Sequence, residues 1–151
     1  MGRDRILAVG LHVGKRPVVS TTEDEIRVAL PETHALRLES VLVRWYVAQA
    51  KILIPRRVME LNEQWRLRFS AIQVRNQKTR WGSCSRNGVL SFNWRLVILP
   101  PPVADYLIVH ELAHLVHMSH SARFWRLVES HDEGFRDAER WLRHNGRHIP
   151  L

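Results

Sequence analysis

His110, Glu111 and His114 form the pattern H-E-x-x-H, the segment of the chain best suited to metal chemistry. On an α-helix, positions 110 and 114 differ by about 40° around the axis and lie roughly 6 Å apart along it. Two imidazoles on one face at that spacing can bind one zinc ion, and Glu111 can reach water beside the metal without being a ligand. A carboxylate in that place acts as general base. The alternative is a surface helix that carries two solvated histidines.

A catalytic zinc ion usually takes three protein ligands, so a third must be found. His117 lies roughly 10 Å along a straight helix from His110, which is too far for a shared metal. His120 is better placed, because the helical pattern breaks just before it and a turn there would return the chain toward the metal. The spacing H-E-x-x-H-x5-H is that of metzincins, although metzincins have glycine at the place of His117. The sequence therefore favours His120, with two later residues as alternatives, Glu129 and His131.

The motif lies in a segment with strong helical periodicity. Val103–Met118 carries apolar residues at helical spacing and follows Pro100–Pro102, which suits a helix N-terminus. Two shorter helices are predicted after it, at Phe124–His131 and at Phe135–His144, with Gly146 as the end of the second. The best-predicted helix of the chain therefore carries the candidate ligands.

Two hairpins and two long helices are predicted ahead of that helix. Asn87-Gly88 is a strong hairpin signal, and a polar turn at 21–25 is a second one. Pro55 suits the first turn of a new helix, so we expect a helix boundary there. The predicted elements are a hairpin of Val18–Ser20 with Ile26–Leu30, helices at 31–53 and 55–65, a strand at 72–75, and a hairpin of Thr79–Ser83 with Val89–Asn93.

These elements predict one α+β domain over residues 1–151, with a small antiparallel sheet packed on helices. We expect four successive parts: a short hairpin at 1–31, a helical part at 32–66, the sheet at 67–99, and the H-E-x-x-H helix with the C-terminal helices at 100–151.

Charge is concentrated in one part of the 151 residues. The chain has 23 basic and 15 acidic side chains, and residues 51–95 hold ten of the basic ones and only two of the acidic ones. This excess predicts an anionic partner or substrate, and the tryptophans among these arginines are compatible with nucleic acid. The alternative without a binding role is a solvated arginine-rich face. No recognised nucleic-acid-binding motif accompanies the charge.

Cysteine content and hydropathy bear on the compartment. Cys84 is the single cysteine, which excludes an intramolecular disulfide and favours a reducing compartment. No apolar run approaches the length of a membrane span, and no signal-peptide pattern is found. We therefore expect a cytoplasmic protein that does not associate with membranes.

Three segments resemble the YgjP-like metallopeptidase family, which is related to the SprT-like and WLM zinc peptidases. They are 75–85 (RNQKTRWGSCS), 100–114 (PPPVADYLIVHELAH) and 117–125 (HMSHSARFW), and the resemblance covers about residues 45–145. It implies a zincin-like, minigluzincin fold. It also implies one zinc ion per chain, with His110, His114 and His120 as ligands and Glu111 as the base.

Other residues near the motif have a structural and a functional interpretation. Residues 81–84 are expected to form a strand near the cleft, where an edge strand could pair with an extended substrate. We favour core packing for Trp81 itself and a small buried hydrophobe for Cys84 over a metal or redox role. Asn93 is a candidate supporting group. Candidate contacts to substrate or to an anion are Lys78, Arg80 and Trp81.

The sequence thus predicts a zinc metallopeptidase that acts on a protein or peptide substrate, with Glu111 as general base. Two alternatives come from other classes. One is a basic nucleic-acid-associated protein, including a protease that acts on DNA-bound proteins, through residues 51–95. The other is a zinc-binding scaffold without turnover.

Overall fold

The computed structural model describes residues 2, 4–32 and 37–149, and the chain divides into two compact units. The N-terminal unit comprises Arg3–Ala48, and the C-terminal unit comprises Gln49–Leu151 together with Met1–Gly2. The H-E-x-x-H motif and every candidate third ligand lie in the C-terminal unit. Among the described residues, no helix has the length and apolarity needed to cross a bilayer.

The N-terminal unit contains a three-stranded sheet of β1 (Ile6–His12), β2 (Val18–Thr21) and β3 (Glu25–Pro31), with β3 in the centre. β2 and β3 pair antiparallel across the polar turn, which confirms the predicted hairpin. Thr22 closes this turn, because its N–H donates to the carbonyl of Glu25 and its hydroxyl oxygen accepts from the N–H of Glu25. β1 pairs parallel with β3 and was not predicted, since its apolar residues run without strand-like alternation.

The central strand supplies the core of this unit. Ile26, Val28 and Leu30 alternate along β3 and are 6% exposed or less. The two-residue period of a strand places all three on one face. They pack against Val41 of the first helix, and partly buried residues surround the cluster: Val19, Leu38, Leu42, Trp45 and Tyr46.

A single helix, α1 (Leu38–Asn62), replaces the two predicted helices. The expected boundary at Pro55 was wrong, and the helix continues through this residue. Proline removes one backbone hydrogen bond and disfavours a helix interior. Ala50, Ile54 and Val58, spaced four residues apart, are fully buried, so packing of this stripe offsets the local cost. Residues 33–36 of the predicted helix lie outside the described residues.

A second sheet, in the C-terminal unit, contains β4 (Ala71–Arg75), β5 (Gly82–Cys84) and β6 (Val89–Asn93), with β6 in the centre. β5 and β6 form the predicted antiparallel hairpin, although β5 is shorter than expected. Gly88 in the connecting turn has a φ of 72°, in the left-handed region that favours glycine. β4 pairs parallel with β6, so the sheet is mixed and not purely antiparallel.

Three helices follow the sheet: α2 (Pro101–Ala113), α3 (Ala122–Glu129) and α4 (Phe135–Asn145). α2 has proline in its first turn, as expected, but it ends five residues before the predicted Met118. α4 ends against Gly146, as predicted. Short 3-10 helices occupy Trp94–Ile98 and Gly146–His148.

Candidate metal centre

α2 positions the first two histidines. Ile108 and Leu112 are fully buried on this helix and fix its orientation in the core. His110 and His114 project together from one side of it, with ring centroids 4.9 Å apart. The four-residue spacing of the two histidines on the helix therefore places their imidazoles next to each other.

The turn after α2 returns His120 to this pair. Backbone hydrogen bonds from His117 to Ala113 and from Leu115 to Leu112 close the turn, and the Ser121 side chain then caps α3. His120 Nε2 lies 2.9 Å from His110 Nε2. One ligand atom from each of the three histidines falls within 4.8 Å of the others, so the structure brings the three predicted ligands together.

The alternative third ligands lie elsewhere in the unit. His131 stacks edge-on against Trp65, with ring centroids 4.0 Å apart, and its Nδ1 contacts Ser130. Glu129 pairs with Arg136 at 3.7 Å. Among residues 2, 4–32 and 37–149, the cluster of potential metal-ligating side chains is formed by the three histidines alone.

Each ring in the cluster is held by aromatic neighbours or by a hydrogen bond. Phe124 lies 4.6 Å from His114 and 4.9 Å from His110, between ring centroids, and Trp125 stacks on His120. His114 Nδ1 lies 3.0 Å from the backbone carbonyl of His117. Donation from Nδ1 leaves the lone pair of His114 Nε2 free for a metal.

The donor set fits a zinc ion. Burial, reinforced by His114 and His120, lowers the pKa of His110 to about 3, so this imidazole stays neutral and able to bind metal at ordinary pH. Burial also lowers the pKa of His114. A tetrahedral zinc holds two nitrogens roughly 3.3 Å apart, close to the 2.9 Å between His110 and His120. Three imidazoles are also the ligand number of a catalytic site with one open position.

Glu111 lies on α2 beside these ligands but is not one of them. Its side chain is 6% exposed, and its Oε2 has no hydrogen-bond partner among the described residues. Burial raises the pKa of Glu111 to about 7, and the positive charge of Arg80 opposes that shift. A carboxyl group with a pKa near neutrality and an unengaged oxygen is suited to accept a proton.

Gly82 of β5 lies directly against the Glu111 carboxylate. A Cβ at position 82 would lie 2.7 Å from Glu111 Oε1 and 2.8 Å from Cγ, closer than side chains approach. A side chain at position 82 would therefore displace the Glu111 carboxylate from its position. We did not single out this role from the sequence, although glycine within a strand is a general sign of such an approach.

Asn93 holds the segment that leads into β5. Its backbone N–H donates to the carbonyl of Trp81 at 2.7 Å, and its side-chain amide donates to the carbonyl of Gln77 at 2.7 Å. The side-chain oxygen accepts from the N–H of Arg95. Asn93 is fully buried, so these three bonds satisfy a polar group that would otherwise be costly to bury. The structure thus places the candidate supporting group at the end of β6, where it holds the segment that precedes β5.

The other residues considered in the sequence differ in their exposure and in their distance from the histidine cluster. Trp81 is half-buried and lies near Gly146 at the end of α4. Arg80 is exposed and is close enough to Glu111 to affect its pKa. Lys78 is exposed and is not part of the histidine cluster. Cys84 is half-buried and lies outside that cluster.

Comparison with known proteins identifies the family. The family model for the YgjP-like metallopeptidase domain matches residues 2–145. The chain belongs to the YgjP-like metallopeptidase family. The match confirms the resemblance seen in the sequence and extends it across both compact units. No curated protein sequence matches the chain.

Two solved structures resemble this chain. Both are archaeal metallopeptidase zymogens: abylysin of Pyrococcus abyssi, with 20% identity and a TM-score of 0.50, and jannalysin of Methanocaldococcus jannaschii, with 21% identity and a TM-score of 0.53. The alignments cover 61% and 64% of this chain and 95% and 97% of theirs. They confirm the α+β, zincin-like fold class.

Proposed function

We propose that this chain is a zinc-dependent peptidase in which His110, His114 and His120 bind the metal and Glu111 is the general base. The observation that carries the proposal is the convergence of three imidazole nitrogens within 4.8 Å beside a buried carboxyl group. Membership of a metallopeptidase family supports the same reaction class.

The chemistry is divided between the metal and the chain. A zinc ion bound by the three imidazoles would supply Lewis acidity, which polarises a peptide carbonyl and makes water more acidic. Glu111 takes the proton from the attacking water on a carboxylate oxygen and later donates it to the leaving amine. Its buried position excludes competing water, and its pKa of about 7 lets it accept and donate near neutral pH.

β5 is suited to hold the substrate backbone, because it is an edge strand next to α2. The hydrogen bond from Asn93 to Trp81 and that from Ser85 to Val89 show which residues of the hairpin face β6. By alternation, Gly82 and Cys84 direct their N–H and C=O groups to the open edge. An extended peptide can add to this edge as a further strand, which places its backbone beside the metal ligands.

Glu111→Gln tests the proposal. Glutamine keeps the size of the side chain but cannot accept the proton, so hydrolysis of denatured, fluorescein-labelled casein should fall by about 10²–10⁴-fold. Zinc content should stay at one ion per chain, because Glu111 is not a ligand. Glu129→Gln, on the exposed surface of α3, is the matched control.

The outcomes separate the three functional alternatives. A Glu111→Gln protein as active as wild type would show that the base is wrongly assigned. One zinc ion per chain with no hydrolysis by the wild type would favour the scaffold. Within residues 51–95, Arg57 pairs with Asp105 and Glu60 and Arg56 pairs with Glu60, and a DNA-binding measurement is what tests the nucleic-acid alternative.

A further inference from the structure

A cavity of about 400 Å³ opens beside His114. Its walls come from three places in the C-terminal unit: the segment before β4 at 68–70, the turn between β5 and β6 at 85–88, and the chain that leaves α2 at 114–118. Because the proposed ligand His114 forms part of the wall, a group in this cavity would lie close to the candidate metal site.

The cavity is formed by loops that hold one another in place. Ser70 donates its N–H to the carbonyl of Gly88 at 2.9 Å and its hydroxyl to the carbonyl of Asn87 at 2.6 Å. A Cβ on Gly88 would lie 3.4 Å from the Ser70 nitrogen, so the two backbones are in close contact. The cavity therefore needs no rearrangement of these two walls to exist.

The charges around the cavity are of one sign. Arg68 lies on one loop and Arg86 on the other, and no carboxylate contributes to the lining. Both arginines are exposed, and within the described part of the chain neither forms an ion pair. They differ in this from Arg57, whose guanidinium donates to both oxygens of Asp105.

One wall of the cavity is apolar, whereas Ser70, Ser85 and Asn87 make other parts of the lining polar. Leu115 and Met118 line the wall that follows His114, and Met118 is 53% exposed. A lining that combines an apolar wall with two arginines fits the side chain of glutamate or aspartate, whose methylene groups would contact the wall while the carboxylate meets the arginines. Guanidinium binds carboxylate with two parallel hydrogen bonds, which adds geometric selectivity to charge attraction.

We propose that this cavity is a substrate subsite for an acidic side chain, and that Arg68 and Arg86 determine this specificity. The inference rests on the proposed peptidase function. The cavity adjoins the end of β5, and strand residues are spaced about 3.4 Å apart, so the acidic residue lies within about two residues of the scissile bond. The excess positive charge of residues 51–95 thereby gains a local role in substrate selection.

The first test uses pairs of peptides built around one cleavable bond. The two peptides of a pair differ at a single position within two residues of that bond, which is glutamate in one peptide and glutamine in the other. At one of these positions, the wild type should hydrolyse the glutamate peptide with a kcat/KM about tenfold or more higher than that for the glutamine peptide. Arg68→Glu and Arg86→Glu should each reduce that ratio toward one or below. Arg126→Glu, an exposed charge reversal on α3, should keep the ratio.

The second test measures binding without turnover. Fluorescence anisotropy of the same peptides on zinc-loaded Glu111→Gln protein should show tighter binding of the glutamate peptide, and Arg86→Glu in that background should abolish the difference. A glutamate preference in binding without hydrolysis by the wild type would refute the peptidase function and support the subsite. Hydrolysis with no glutamate preference would refute the subsite and leave the peptidase function intact.

A nucleic-acid role for the same arginines predicts a different result. Single-stranded DNA would then bind with an affinity that falls steeply with salt and is lost in Arg68→Glu and Arg86→Glu, while the two peptides bind equally. That result would overturn the acidic subsite.

Discussion

Gly82→Ala is the substitution that tests most directly how the fold sets the position of Glu111. The added Cβ would lie 2.7 Å from Glu111 Oε1, whereas ordinary contacts begin at 3.4 Å. The carboxylate must therefore retreat by about 0.7 Å, and because Cγ is also too close, rotation of the terminal carboxylate alone does not relieve the contact. Gly82 does not have a positive φ, so alanine is compatible with the backbone.

The expected effect falls on catalysis and not on folding or metal binding. A misplacement of about 1 Å in a catalytic group can reduce the rate by about 10²-fold, which corresponds to about 2.7 kcal/mol in the activation barrier. None of the three histidines is among the atoms nearest to the added Cβ. We therefore expect kcat to fall by about 10²-fold at unchanged zinc content.

The assay is the hydrolysis of a fluorogenic peptide, with zinc measured by mass spectrometry on the same samples. Gly134→Ala is the control, because a Cβ there would make only an ordinary contact of 3.5 Å with Asp132. In a Glu111→Gln background, Gly82→Ala should have little further effect, since it acts through that carboxyl group. A Gly82→Ala protein within threefold of wild-type activity would refute the positioning role.

Three further predictions concern the ligands, the thiol and the stability of the C-terminal unit. His120→Ala should weaken zinc binding by more than about 10²-fold in a competitive chelator titration, whereas His117→Ala, which keeps its backbone carbonyl, should not. Burial, with a smaller contribution from Glu111, raises the pKa of Cys84 to about 11. Alkylation of this thiol by iodoacetamide should therefore be slow at pH 7.5, and its rate should rise about tenfold per pH unit up to that pKa. Rapid labelling at pH 7.5 would contradict this prediction. Asp105→Asn should lower the free energy of unfolding by about 1 kcal/mol in urea, since it weakens the partly exposed pair with Arg57; an unchanged midpoint would show that the pair contributes nothing.

The site could be predicted from sequence because its key residues are close together along the chain. His110, Glu111 and His114 depend only on the geometry of one helix, and His120 depends on one turn after it. Such local spacing carries most of the necessary information. The hairpin of β5 and β6 was predictable for the same reason, since Gly88 determines a short turn.

Features that depend on distant contacts were missed. The parallel pairing of β1 with β3 joins segments about 19 residues apart, and no local pattern reports it. The continuation of α1 through Pro55 depends on the burial of Ile54 and Val58, which outweighs the local preference for a break. The preference for glycine at position 82 likewise comes from Glu111, which lies on another element.

The turn between His114 and His120 performs two tasks with one stretch of backbone. The carbonyl of His117 receives a hydrogen bond from His114, and the same turn brings His120 to within 2.9 Å of His110. Surface connections of proteins ordinarily tolerate inserted or deleted residues. Here a change of even one residue in length would alter both the orientation of one ligand and the reach of another, so we expect this connection to tolerate neither insertion nor deletion.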